Sequence, residues 1–156
     1  METKELLSEL VRFNSVSQES NEEIAEYLTR HLKGLGFDVE QQSHVEPSGT
    51  KKINVVALAG PTASSPEHRE LALVGHTDTV PFDSDWKNAL NPVEKDGKLF
   101  GRGACDTKAY IAAALTAAKR TDLTKLTKPL ALIFTYDEEI GCLGAQQLVR
   151  EPLVKP

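Results

Sequence analysis

Apolar residues recur with helical spacing at the start of the chain. Leu6, Leu7, Leu10 and Val11 share one stripe, which predicts a helix over residues 3–13. A second stripe, Ile24, Leu28, Leu32 and Leu35, follows "SNEE", where Ser20 at the N-cap and Glu23 three positions on form a capping box. Gly34 and Gly36 end that helix. The pattern then shortens: "FDVEQQ" (37–42), "INVVALA" (53–59), "LALVG" (71–75) and "PLALIFTY" (129–136) read as strands. The runs at 53–59 and 71–75 are apolar on both faces, as expected of interior strands covered by helices on both sides. "DTKAYIAAALTAAKR" (106–120) predicts a helix with Ile111, Leu115 and Ala118 facing inward, and "LGAQQLVRE" (143–151) a short closing helix.

Between these elements, "GPTASSPEHRE" (60–70) is a polar, proline-containing loop. Residues 79–97, with Pro81, Pro92 and the "KDG" turn, read as a long irregular segment, and loops of that length are functional or disordered. Trp86 inside it reads as an anchor packed on the body as readily as a functional residue.

Strands alternating with helices imply an α/β sheet, and such sheets gather ligands at the carboxyl ends of their strands. That rule selects His76 and Asp78 after one strand, Asp106 at a helix start, and Asp137, Glu138 and Glu139 after another strand.

Composition changes this picture little. The chain has 156 residues, 40% hydrophobic and 26% charged, as in a globular domain. A net charge of −5 argues against nucleic acid and against an anionic membrane surface. No apolar stretch approaches the ~20 residues of a membrane helix, and "METKELLSELVRF" lacks the apolar core of a signal peptide. Two cysteines, Cys105 and Cys142, are too few for a disulfide framework, so reduced thiols in a cytoplasmic protein are expected.

Each acid-bearing motif has a bland and a sharp reading. In "GHTD", residues two apart in extended backbone project to the same side, so Asp78 can orient the His76 imidazole and leave its other nitrogen for a metal. A polar strand end capped by an aspartate explains it equally. In "GRGACDTK", Gly101 and Gly103 permit a tight turn, and Asp106 reads either as an N-cap or as a carboxylate for cations. In "TYDEEIG", three consecutive acids read as a solvated turn, or as one glutamate binding metal while its neighbour moves a proton. His31, His44 and His68 read as surface residues, Cys105 as a small buried side chain, and Lys108 as a support for the Asp106 turn.

Taken together, "GHTDTVPF", "DGKLFGRGACDTK" and "DEEIGCLGA" resemble the dinuclear zinc amidohydrolase family of acetylornithine deacetylase, succinyl-diaminopimelate desuccinylase, aminoacylase and glutamate carboxypeptidase, nearest to its deacetylase branch. The resemblance begins at "LLSELVRFNSVS". It implies a three-layer helix-sheet-helix catalytic domain of the zinc-dependent exopeptidase type. It further implies two divalent ions, zinc or else cobalt, held by His76, Asp106 and Glu139, with Asp106 bridging. Glu138 would be the general base and Asp78 the residue orienting His76. The implied reaction is hydrolysis of an N-acyl amino acid, N-acetylornithine first, with the family's desuccinylase, aminoacylase and carboxypeptidase activities as alternatives. Relatives often carry Met and Gly where Thr107 and Ala109 stand, and "NALNPV" replaces an acidic-aromatic segment of many deacetylases.

By the same resemblance, residues 1–156 would be the N-terminal part of the catalytic domain. Further metal ligands and an inserted dimerisation domain would follow "EPLVKP", giving a homodimer at full length. The 156-residue chain by itself is expected to be inactive, with its sheet edge and apolar faces uncovered. The alternative is a non-catalytic binding or interaction module with an incomplete metal site.

Overall fold

The structure is a computed structural model that describes residues 2–61 and 71–153; the predicted 60–70 loop, with His68, lies almost wholly outside them. Helix α1 (Thr3–Val11) buries Leu6, Leu10 and Val11, and α2 (Glu22–Gly34) buries Ile24, Ala25, Leu28 and Leu32. Strands β1 (Asp38–Val45), β2 (Lys51–Ala59) and β3 (Leu71–His76) follow, then a hairpin of β4 (Val93–Lys95) and β5 (Lys98–Phe100). Helix α3 (Lys108–Lys119), strand β6 (Leu130–Thr135) and helix α4 (Leu143–Arg150) complete the order.

The main sheet runs β1-β2-β6-β3, with β1/β2 and β2/β6 antiparallel and β3/β6 parallel. Alternation along the strands sorts two cores. Ile53, Val55 and Ala57 of β2 and Leu132 and Phe134 of β6 pack with α1, α2 and α3. On the opposite face, Val56, Leu58 and Ala131 pack against Leu148 of α4 and Leu153. The result is helix, sheet, helix, as predicted.

Several boundaries move for local reasons. Asn21, not Ser20, is the residue before α2, and no Ser20–Glu23 box forms. The Ser20 hydroxyl donates to the Lys51 carbonyl and accepts from the Glu22 amide, so it staples the helix start to β2. A Schellman closure ends α2: the Phe37 amide donates to the Leu32 carbonyl and the Gly36 amide to Lys33, with Gly36 at φ +95°. Helix α3 begins at Lys108, two residues later than predicted. The 79–97 segment is not wholly irregular, because its end pairs as β4–β5 around Gly97 at φ +71°. Strand β3 is an edge rather than an interior strand among the described residues, with Leu71 and Val74 each 53% exposed.

Candidate metal centre

Parallel pairing of β3 with β6 sets their carboxyl ends side by side, with His76 opposite Thr135. Two segments thereby emerge together, residues 77–79 after β3 and the acid turn after β6. Gly75 lets α3 pack closely on the end of β3, since a Cβ there would lie 2.9 Å from the Tyr110 ring of α3.

His76 is buried, and its two nitrogens face different partners. Nδ1 lies 3.0 Å from the Asp78 carbonyl and 3.3 Å from Asp78 Oδ1. Nε2 lies 3.2 Å from Asp106 Oδ1 and 3.7 Å from Glu138 Oε2. Asp78, 1% exposed, does more than meet the histidine. Its Oδ1 accepts from the Glu138 amide at 3.0 Å, and its Oδ2 accepts from the Glu139 amide at 3.1 Å and the Ser17 hydroxyl at 2.8 Å. One carboxylate thus holds the imidazole and the backbone of both glutamates.

Asp106 follows the tight turn at Gly103, which adopts φ +74° and where a Cβ would meet Thr79 at 2.7 Å. It is not an N-cap: Thr107 precedes α3, and the Asp106 side chain is 76% exposed. The Asp106–Thr107 peptide bond is cis. Across the site, Asp137 turns inward at φ +50° and meets buried Lys52 at 2.8 Å, while Glu138 and Glu139 are presented outward. Cys142 and Gly141 amides both donate to the Glu138 carbonyl, closing the turn.

Ligand atoms of His76, Asp106 and Glu139 all lie within 4.8 Å of one another. One imidazole nitrogen and two carboxylate oxygens are the mixed donor set that suits zinc or cobalt, so these residues fit a divalent ion. The electrostatics agree. Burial pulls the His76 imidazole down, but the Asp78 carboxylate bonded to it, with Glu138 nearby, outweighs this and raises it to about 9. Burial pushes Glu139 above the usual carboxylate range, and the Asp106 charge adds to the shift. Asp78 is also buried, yet hydrogen bonds from His76, the turn amides and Ser17 hold it below the usual range. An electron-rich cluster of this kind is relieved by a cation.

The remaining candidates fall elsewhere. His31 is half-buried against Tyr27, and His44 is exposed and stacked on Tyr136. Cys105 is exposed, not buried, and both cysteines are free. The Lys108 amide does hold the turn through the Gly103 carbonyl, but its buried ammonium reaches away to the Phe13 carbonyl at 2.9 Å. Trp86 lies under the Arg102 guanidinium, 5.1 Å from the ring centre, so it anchors the loop while remaining 38% exposed.

Sequence reasoning missed Ser17 and Lys52. Ser17 carries no signal, one hydroxyl among several in "FNSVSQES". Lys52 and Asn54 did carry one, because polar residues at the head of a strand buried on both faces must find internal partners. Asn54 finds the Gly144 carbonyl at 2.9 Å, and Lys52 finds Asp137.

Known proteins resemble this chain in sequence and in fold. The chain is 43% identical over 147 residues to an acetylornithine deacetylase from Myxococcus xanthus, an alignment covering 94% of this chain and 38% of that protein. Human carnosine dipeptidase 1 superposes with a TM-score of 0.73 at 25% identity, over 96% of this chain and 34% of the other. A tripeptidase from Staphylococcus aureus gives 0.75 at 25% identity, over 98% and 40%. The chain therefore spans well under half the length of these relatives. Residues 72–155, which run from β3 through the acid turn, match peptidase family M20/M25/M40, and the chain belongs to that family.

Proposed function

We propose that the chain carries the metal-binding and proton-transfer residues of an amide hydrolase acting on N-acyl amino acids, with N-acetylornithine as substrate. The observation that carries this reading is the convergence of His76, Asp106 and Glu139 within 4.8 Å, with Glu138 Oε2 at 3.7 Å from His76 Nε2. The likeness to a deacetylase over nearly the whole chain supports the choice of substrate.

His76, Asp106 and Glu139 would hold the metal, two ions if Asp106 bridges them. When bound, divalent ions supply Lewis acidity toward water and the scissile carbonyl. Asp78 fixes the ring of His76 through Nδ1 and so directs Nε2 into the site. The Glu138 amide is fixed by Asp78, and its half-exposed carboxylate, met by the Cys142 thiol at 3.8 Å and lying 3.7 Å from His76 Nε2, is placed to move a proton. It takes that proton from water as the oxygen attacks the acyl carbon. It returns the proton to nitrogen as the C–N bond breaks, releasing the amine and acetic acid, which gives up its remaining proton to solvent or to the amine and leaves as acetate.

The test is a metal titration and an N-acetylornithine assay on the protein at its full length and on its Glu138→Gln variant. The variant should bind metal as the parent does and lose about 10²–10⁴ in turnover. Cleavage by the variant at near the parental rate removes Glu138 from the proton transfer. Failure of the parent to bind zinc or cobalt removes the metal reading altogether.

A further inference from the structure

Lys52 is fully buried and is no part of the donor set. Its ammonium donates to Asp137 Oδ1 at 2.8 Å, to the Glu19 carbonyl at 2.8 Å, and to the Ser17 carbonyl. All three of its protons are thereby used. These partners belong to two segments that converge on the candidate site. Asp137 directly precedes Glu138 and Glu139 and adopts the left-handed backbone conformation uncommon for a residue with a side chain. Ser17 sends its hydroxyl to Asp78 Oδ2, on the carboxylate that holds His76 and both glutamate amides.

A buried ion pair is weak evidence for stability, because apolar residues of the same volume serve as well or better. Placement is a different matter. Nothing apolar in that slot would tie the acid turn and the 17–19 segment to one point on β2. We propose that Lys52 is the positioning residue of the metal centre, seating the Asp137–Glu139 turn and Ser17 around Asp78. This inference rests on His76, Asp106 and Glu139 being the metal ligands. Only Oδ1 of Asp137 is engaged by Lys52, and Oδ2 has no hydrogen-bond partner among the described residues.

The experiment, on the protein at its full length, follows Co²⁺ binding by calorimetry and by the visible spectrum of the bound ion, with thermal melting as the control for folding. Lys52→Met/Asp137→Asn removes the tie without leaving a buried charge unpaired. It should melt cooperatively yet bind about 10- to 100-fold more weakly, with an altered spectrum. Ser17→Ala, a small change that spares the fold, should weaken binding in the same direction and decides the matter if the double variant does not fold. Parental affinity and spectrum in both of these variants would overturn the proposal, leaving the pair a packing feature. A parent that takes up no Co²⁺ refutes the metal reading instead.

Discussion

His31 shows how burial acts on one titrating side chain. Packed half-buried on α2, it is held below its ordinary value of 6.5 first by loss of solvent. Glu9 of α1 opposes the shift and Lys119 of α3 adds to it. Between that depressed value and 6.5 the unfolded chain binds more protons than the folded one, so this residue's contribution to stability is lost as pH falls. Melting temperatures followed downward from neutral pH should therefore decline less steeply in His31→Gln than in the parent. At the same scale, His76, Asp78, Asp106, Glu138 and Glu139 were legible because each follows an apolar strand or opens a helix in the sequence. The family resemblance, rather than their spacing, implied that His76, Asp106 and Glu139 would meet. It did not say that Asp78 would accept from two glutamate amides, since those contacts depend on a turn whose left-handed residue, Asp137, has no mark in "TYDEEIG".

Elements are placed by backbone contacts that periodicity does not describe. Helix α4 starts against β2 and β6 because Gly144 leaves room for Asn54 and Tyr136. A Cβ at 144 would lie 2.4 Å from Asn54 Oδ1 and 2.7 Å from the Tyr136 backbone. Gly144→Ala should accordingly lower stability by about 1–3 kcal/mol, read as a drop in the midpoint of urea unfolding. The helices and long strands were legible from their apolar stripes, Leu6 to Leu10, Ile24 to Leu32, Ile111 to Leu115. Their ends were not. The predicted Ser20–Glu23 box yielded to a tertiary contact, Ser20 to the Lys51 carbonyl, and β4–β5 escaped notice because three-residue strands carry too little pattern.

For the whole molecule, the outer edge of β3 has no strand partner among the described residues. Val74 is 53% exposed there, in register with Ile133 of β6. Exposed edges and apolar patches invite association. Val74→Lys should reduce self-association of the 156-residue chain, measured by light scattering, with little change in melting temperature. No helix among the described residues is long and apolar enough to cross a membrane.

Asp78 gathers its partners from positions 17, 76, 138 and 139, stretches far apart along the polypeptide. Shortening the chain from its amino terminus past Ser17 would spare every candidate ligand while stripping away a support beneath them. The opening loop, which carries none of the predicted chemistry, is in that sense as much a component of the centre as the acids it seats.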